Sequence, residues 1–290
     1  TIAVAVSGGP DSMALLFLLN RWIKFKKGKL IALIVNHNLR KSSMKEALSI
    51  SNLLSNKNIS SKILTISKQK IIKKSMEEAR LFRYEKLINY CKKNYILHLF
   101  VGHHKDDNLE TFVNRKISGS DFDGLKSMKN LITLNNICLY RPLLGFSKKQ
   151  ILNFNSCNKI KYITDPTNEN LNYTRPVIRN FIKNSNSKIY KEILNDFIDV
   201  KKNINLYNQM IYEIFFENLE HVDTRKIKIN HSKFELLNKL VSTKIIKIIH
   251  KFFFSQKVFL RTSKIQNFLS KITEDNFNFF NLKGMDVKKQ

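Results

Sequence analysis

The sequence predicts an α/β protein with a doubly wound parallel sheet, followed by a smaller, mainly helical domain. In the first half of the chain, short apolar runs alternate with amphipathic stretches of helix length, an order typical of βαβ units. The first runs, residues 2–6 and 30–35, lack polar alternation, as expected of strands buried on both faces. After residue 168 the apolar residues recur at three- and four-residue intervals, which is typical of helices.

The predicted strands and helices follow one another from the N-terminus. We expect strands at residues 2–6, 30–35, 63–66 and 97–101, with helices at residues 12–26, 43–57 and 76–94. In a parallel sheet of this kind, ligands bind outside the carboxyl ends of the strands. Functional motifs are therefore expected directly after each apolar run.

The chain has 290 residues, which is enough for two domains. We expect a catalytic domain over residues 1–185, a helical connector over residues 186–230 and a small helical domain over residues 231–290. Residues 221–230 carry charge and little apolar bulk, which favours a boundary there.

The charge balance favours a polyanionic partner. Lys and Arg number 51 against 23 Asp and Glu, giving a net charge of +28. An A+T-rich genome would enrich Lys, but it would not by itself deplete Asp and Glu. Since the excess extends over both halves of the chain, both could contact the phosphates of a nucleic acid.

The apolar runs and the cysteines exclude several protein classes. The longest apolar run, residues 13–19, is shorter than a membrane span, and the first residues lack the apolar core of a signal peptide. We therefore expect a cytoplasmic protein without a membrane partner. Cys91, Cys138 and Cys157 form no CxxC pair, which argues against a disulfide framework and against a four-cysteine zinc site.

A glycine-rich turn between the first strand and the first helix predicts a phosphate site. Glycines let backbone amides approach an anion, and the following helix directs its positive end to the same place. Asp11 and Ser12 would also suit helix capping. No GK[ST] follows, so this is not a Walker A loop. The turn consists of Ser7, Gly8, Gly9, Pro10, Asp11 and Ser12.

A cluster of ionisable residues follows the fourth predicted strand. Asp107, Glu110 and Thr111 share one helical face, and such a group could bind Mg²⁺ or move a proton. The alternative is helix capping by Asp106 and Asp107. The cluster consists of His103, His104, Asp106, Asp107 and Glu110.

Arginine placement gives a further indication, because eight of the ten arginines lie in residues 1–180. A planar, bidentate donor suits phosphate or adenylate contact. A structural pair such as Arg175 with Asp165 is the alternative. Six of the eight lie within the motifs described below: Arg40, Arg80, Arg83, Arg141, Arg175 and Arg179.

The glycine-rich turn resembles the PP-loop of ATP pyrophosphatases, and further segments are similar to those of tRNA(Ile)-lysidine synthetases. Order and spacing agree over residues 2–180, about 60% of the chain. The departures are Asn36 in place of Asp, the turn at residues 118–121, and Pro176 in place of Asn. The similar segments are NHNLR (36–40), ARLFRY (79–84), GHHKDDNLET (102–111), RPLL (141–144), DPTN (165–168) and YTRPVIR (173–179).

This resemblance implies ATP-dependent formation of lysidine at the wobble cytidine of a tRNA(Ile) with a CAU anticodon. ATP, Mg²⁺ and free L-lysine would take part, with a homodimer as one alternative for the oligomeric state. The nucleotide would bind Ser7 to Ser12, and the metal Asp11 and Asp107. The catalytic residues would be Asp107, His103, His104, Glu110, Arg175 and Arg179.

Other functions stay open at this point. A tRNA-thiolating enzyme would share the loop, but such enzymes typically need paired cysteines. A small-molecule amide-forming ligase would explain the loop but not the net charge of +28. An inactive nucleic-acid-binding module would leave the ionisable cluster without a role. The phenylalanines at 252–254 and at 277, 279 and 280 could stack on bases, although core packing is the commoner use of such runs.

Overall fold

The computed structural model describes residues 1–36, 43–66, 76–120, 122, 124–163, 174–254, 260–272 and 277–288. The chain forms two compact units. The first consists of Thr1–Gly119 with Ser127–Phe197, and the second of Ser120–Lys126 with Ile198–Gln290.

The first unit contains a six-stranded sheet. Its strands are β1 (Ile2–Val6), β2 (Leu30–Asn36), β3 (Ser61–Thr65), β4 (His98–Phe100), β5 (Leu131–Leu134) and β6 (Ile137–Tyr140). They are ordered β3-β2-β1-β4-β6-β5. All neighbours pair in parallel except β5, which is antiparallel to β6. The order reverses at β1 and β4, so the carboxyl ends of these two strands flank the crevice where ligands bind in such folds.

The first four helices of this part of the chain connect strands of the sheet and three more follow it, which confirms the predicted doubly wound fold. They are α1 (Pro10–Phe25), α2 (Ser43–Ser55), α3 (Met76–Lys93), α4 (Lys105–Ile117), α5 (Lys148–Cys157), α6 (Thr174–Asn184) and α7 (Ser187–Asn218). A short 3-10 helix, Pro142–Gly145, precedes α5.

Apolar residues cover both faces of the sheet, as the lack of polar alternation predicted. On one face, Ile2 and Val4 belong to a core with α1, α2 and α5. On the other, Ala3 and Leu33 pack with side chains of α3. The sheet is therefore a rigid layer that positions the loops at its carboxyl edge.

The β5–β6 hairpin was not among the predicted elements. Asn135 and Asn136 connect the two strands with φ values of 50° and 68°. Two consecutive residues of positive φ form the turn that suits tight hairpins, and Asn tolerates this conformation well. The Asn-Asn pair between two short apolar runs was the signal for this element.

The second unit is mainly helical, as predicted, but it also contains two hairpins. Its core consists of buried side chains from α7 and from the later helices and strands, including Ile245 and Phe268. The elements that follow α7 are β7 (Leu219–Val222), β8 (Ile227–Ile229), α8 (His231–Glu235), α9 (Lys239–Phe253), α10 (Thr262–Ile272), β9 (Phe279–Leu282) and β10 (Met285–Lys288).

Residues 221–230, where the charge favoured a boundary, lie within the second unit. They contribute to the β7–β8 hairpin, and Ile227 and Ile229 pack against the core of the second unit. Isoleucines two residues apart point to the same side of a strand, so Lys228 between them faces solvent. The division between the units lies after Phe197, within α7.

The phenylalanine runs mostly serve packing. Phe277 is buried, and Phe253, Phe254 and Phe280 pack against the same core. Phe252 and Phe279 stay 56% and 53% exposed. Among the described residues, we find no helix with both the length and the apolar character that crossing a bilayer requires.

Candidate functional site

The loop after β1 and the start of α1 form an anion-binding arrangement. The N-cap residue Gly9 makes no side-chain capping bond, so the first amides of α1 are left for a ligand. The Ser12 hydroxyl stabilises the loop, accepting a hydrogen bond from the Ser7 amide (3.2 Å) and donating one to the Gly9 carbonyl (3.0 Å). This geometry meets the requirements of a phosphate site.

Two glycines permit close backbone contacts around this loop. Gly8 has φ +81°, and a Cβ there would lie 2.5 Å from Cδ1 of Ile50. Gly102, just after β4, lies against α1, because a Cβ there would be 3.1 Å from the Asp11 carbonyl carbon. Gly9 differs: its φ is −70°, and a Cβ would meet only the Ser7 hydroxyl at 3.5 Å.

His104 connects this loop to the start of α4. Its side chain is buried, and it caps α4 through a capping box in which Nδ1 accepts from the Asp107 amide while the Asp107 carboxylate accepts from the His104 amide. A neutral ring that accepts at Nδ1 carries its proton on Nε2. That nitrogen lies 3.5 Å from Asp107 Oδ2 and 3.8 Å from Asp11 Oδ1. The same histidine therefore caps α4 and brings the carboxylates of Asp11 and Asp107 near one another.

Lys148 was missed by the sequence reasoning. Its ammonium lies 2.7 Å from both carboxylate oxygens of Asp11, and its backbone amide donates to Asp106 Oδ2 at 2.5 Å. A capping box of Ser147 and Gln150 starts α5 at this point. That S-x-x-Q pattern after RPLL signalled a helix start, but nothing in it indicated the contact with Asp11.

Glu110 lies on α4 and forms an ion pair with Arg179 of α6. Its side chain is 3% exposed, and its two oxygens accept from Arg179 Nε (2.6 Å) and Nη2 (3.1 Å). This hydrogen bond to Glu110 raises the pKa of Arg179. The pair joins the two helices at the edge of the site, while Thr111 donates to the Asp107 carbonyl at 2.7 Å.

His103 faces a different environment from His104. Burial lowers the pKa of His103 to about 3, and the positive charges of Arg141, Arg80, Arg83 and Arg175 contribute in the same direction. The ring is therefore neutral at physiological pH and a weak base. The two adjacent histidines thus belong to two halves of the site, His104 to the acidic half and His103 to the basic half.

The basic half contains arginines from several elements. Arg141 is 7% exposed and donates to the Lys129 carbonyl at 2.8 Å, while its Nε has no hydrogen-bond partner among the described residues. Burial lowers the pKa of Arg83, Arg115 and Arg141. Clustered guanidiniums repel one another, so an anion bound among them is favoured because it offsets that repulsion.

Asn36, at the end of β2, is 3% exposed. Its side-chain amide donates to the sulfur of Met44 at 3.3 Å. An uncharged amide avoids the cost of burying a carboxylate in such a position. The departure from Asp is therefore compatible with the packing around β2.

Comparison with known proteins identifies the family of this chain. The family profile of the PP-loop domain matches residues 1–186. A tRNA(Ile)-lysidine synthase of Rickettsia akari is 32% identical over 300 residues, which cover 99% of this chain and 67% of the relative. The chain belongs to the tRNA(Ile)-lysidine synthase family. Two members from Wolbachia, one from the Brugia malayi symbiont and one from Wolbachia pipientis wMel, are 39% and 44% identical over 68% of the chain.

The match to this family extends over only part of the relatives. The chain spans about half the length of the two Wolbachia synthases, of which 46% is covered. Among solved structures, the U34-tRNA thiolase NcsA from Methanococcus maripaludis aligns with a TM-score of 0.55 at 20% identity, covering 69% of this chain and 70% of that one. At that identity the likeness concerns the fold.

A magnesium ion, expected from the family resemblance, fits the acidic half of the site. Carboxylate oxygens of Asp11 and Asp107 both lie within 4 Å of His104 Nε2 and so face a common space. Mg²⁺ typically uses one or two carboxylates together with substrate phosphates. In the described part of the chain, no group of three or more His, Cys, Asp or Glu forms a metal site, so phosphate oxygens would have to complete the ligand set.

Several family motifs fall outside the described residues. These are residues 37–40, 165–168, Tyr173 and Asp121. The alternative pairing of Arg175 with Asp165 belongs to the same group.

Proposed function

We propose that this chain joins lysine to carbon 2 of the wobble cytidine of a tRNA(Ile) with a CAU anticodon, forming lysidine. In this reaction the oxygen on carbon 2 attacks the α-phosphorus of ATP and pyrophosphate leaves. The side-chain amine of free L-lysine then attacks carbon 2, loses a proton, and AMP leaves. The observation that carries the proposal is the group of Asp11, His104 and Asp107 beside the phosphate loop, in a chain of this family.

The phosphate loop supplies the nucleotide site of this proposal. Within the loop of Ser7 to Ser12, the amides of Asp11 and Ser12 and the positive end of α1 would hold the phosphates of ATP, since Pro10 has no amide hydrogen and the Ser7 amide already donates to the Ser12 hydroxyl. Asp11 and Asp107 would hold Mg²⁺, which supplies charge neutralisation on the departing pyrophosphate. Nε2 of the buried His104 lies within 4 Å of an oxygen of each carboxylate.

The contacts of the remaining predicted site residues suggest a separate role for each. Asp107, whose carboxylate lies 3.5 Å from Nε2 of His104, would contact the reacting base or amine. Glu110 and Arg179, which pair with each other, would act by positioning α4 and α6. Arg175 and His103, in the basic half, would contact an anionic part of a substrate, such as a phosphate of the tRNA.

Two properties support tRNA rather than a small molecule as the acceptor. The net charge of +28 suits a polyanion that must be held while its anticodon base is extruded. The relatives from Wolbachia and Rickettsia akari are tRNA(Ile)-lysidine synthases. A cytoplasmic location belongs to this proposal, since ATP, lysine and tRNA are all present there.

The alternative function, tRNA thiolation, has less support. The three cysteines are free and lie on α3, β6 and α5. Burial raises the pKa of Cys91 to about 11, so its thiolate is scarce at neutral pH. These cysteines therefore give little support to a thiolation mechanism that needs two paired, reactive thiols.

The proposal is tested by incorporation of labelled lysine into a tRNA(Ile) transcript with a CAU anticodon, in the presence of ATP and Mg²⁺. Asp107→Asn keeps the capping box, because the side-chain carbonyl of Asn can still accept from the His104 amide, but it removes a charge. Loss of one charged transition-state contact costs about a hundred- to a thousandfold in rate. Asp199→Asn, an exposed position on α7, is the matched control and should retain activity.

Three outcomes would contradict the proposal or the role that it gives to Asp107. Lysine incorporation by Asp107→Asn at the rate of the control would limit Asp107 to helix capping. Transfer of sulfur to tRNA by the wild-type chain, with no use of lysine, would favour the thiolation alternative. Pyrophosphate release that does not depend on tRNA would favour a small-molecule ligase.

A further inference from the structure

Lys148 occupies the place of a cation at the phosphate loop. Its ammonium contacts both oxygens of the Asp11 carboxylate at 2.7 Å, although 137 residues separate the two in sequence. Asp11 is the acidic residue in the first turn of α1. The ion pair therefore lies where a nucleotide polyphosphate would meet the helix.

An unpaired Asp11 carboxylate would oppose nucleotide binding. A negative charge in the first turn of a helix occupies the positive potential that would otherwise attract a phosphate. It would also repel the polyphosphate directly. Neutralisation of Asp11 by a cation removes both effects, and Lys148 supplies that cation in the structure.

We propose that Lys148 is a positioning residue whose ammonium holds Asp11 in the free protein and moves to the polyphosphate when a divalent cation binds Asp11. This inference rests on the proposed use of ATP and Mg²⁺ and deepens it. Because Lys148 pairs with both oxygens of Asp11, the metal and the ammonium compete for one carboxylate.

The backbone around Lys148 is fixed, so the exchange requires movement of a side chain alone. The Lys148 amide donates to Asp106, and Asn155 of the same helix donates to the Pro10 carbonyl at 2.9 Å. The Lys148 side chain is 37% exposed and has four flexible carbon atoms. Partly exposed ion pairs are weak, so the pair can open readily when a stronger ligand for Asp11 arrives.

The test compares two binding equilibria in the 290-residue chain. Lys148→Met should raise the affinity of the free protein for Mn²⁺ alone by roughly fivefold, the equivalent of one partly exposed ion pair. Unbound Mn²⁺ is measured by its electron paramagnetic resonance signal. The same variant should bind α,β-methylene-ATP at saturating Mn²⁺ roughly tenfold more weakly, because a charged contact to phosphate is lost.

The opposite directions of the two changes distinguish exchange from a structural role, since a damaged site would bind both ligands more weakly. Lys149→Met, at the exposed neighbouring position, should change neither affinity. Lys148→Arg keeps a cation and should stay close to wild type. Asp11→Asn added to Lys148→Met should remove the gain in Mn²⁺ affinity.

Three results would overturn the inference. These are an unchanged Mn²⁺ affinity in Lys148→Met, a weakened one, or an unchanged affinity for the nucleotide analogue. If the wild-type chain binds neither Mn²⁺ nor the analogue, the proposed function fails with the inference. If the wild type binds both and Lys148→Met behaves like Lys149→Met, only the inference fails.

Discussion

Gly8 and Gly9 of the phosphate loop are adjacent but have different requirements. A residue with a side chain at position 8 would be held at a positive φ, and its Cβ would clash with Ile50. A Cβ at position 9 has space in the free protein. The conformational demand at Gly8 comes from the fold. Any demand at Gly9 comes from the ligand that approaches it.

We therefore expect Gly8→Ala and Gly9→Ala to separate stability from binding. Gly8→Ala should lower the free energy of unfolding by about 1–3 kcal/mol because of the left-handed conformation and the contact with Ile50. Gly9→Ala should change it by less than about 1 kcal/mol, yet weaken ATP binding. Urea unfolding and calorimetric ATP titration measure the two effects. Full ATP affinity in Gly9→Ala would contradict the phosphate-loop assignment.

His103 gives a prediction about pH. Its pKa falls from 6.5 to about 3 on folding, so between these values the unfolded chain binds a proton that the folded chain does not. Protonation of His103 in the unfolded chain therefore does not affect the free energy of unfolding above about pH 6.5. As the pH falls toward 3 it lowers that free energy, by at most about 1.4 kcal/mol per pH unit.

The variant His103→Gln should have a shallower dependence of unfolding free energy on pH between 6.5 and 4 than the wild type. Urea unfolding at a series of pH values gives both slopes. Parallel profiles for the two proteins would show that His103 is not held neutral by its surroundings.

Among the helices, α4 and α6 are joined by the Glu110–Arg179 pair. Arg179→Met would leave the Glu110 carboxylate, 3% exposed, without its guanidinium. Breaking a buried pair on one side costs about 3–5 kcal/mol, and since Arg179 itself is 48% exposed we expect about 2–3 kcal/mol.

A double-mutant cycle tests this assignment. Adding Glu110→Gln to Arg179→Met should recover part of the loss, because the buried charge is removed with its partner. Lys183→Met, at an exposed position of the same helix, should have little effect on unfolding. Additive losses in the double variant would argue against a direct coupling of α4 to α6 through this pair.

Elements with strong periodicity were predicted and found, while short hairpins were missed. The first four strands and first three helices lie close to the expected residues. The hairpins β5–β6, β7–β8 and β9–β10 have strands of three or four residues, too short to establish a period. Their pairing depends on turn chemistry and on a core to pack against.

For the whole molecule, the charge gives a prediction about tRNA binding. If lysines and arginines contact phosphates, the logarithm of the association constant should fall linearly with the logarithm of the salt concentration. The slope should be roughly −0.7 to −0.9 per neutralised phosphate. Filter binding of tRNA(Ile) at several KCl concentrations measures it. A complex that does not respond to salt would make the net charge of +28 a matter of composition alone.

The sequence alone determined the doubly wound fold and the family, and it predicted the phosphate loop. Each of these depends on residues close together in the chain: a buried strand, the SGGPDS turn and the helix after it, or the HHKDDNLE segment at the end of another strand. Local backbone preferences and burial specify such units before any distant contact forms.

Only the tertiary structure decided which distant side chains meet. Lys148 is one of 51 basic residues, and nothing in its local pattern distinguishes it as the partner of Asp11. Glu110 and Arg179 are 69 residues apart, and the arginines near His103 come from separate elements. These contacts follow from the strand order, which places β1 beside β4 and β4 beside β6. Strand order depends on how the whole set of apolar faces packs together, and a local pattern does not encode that.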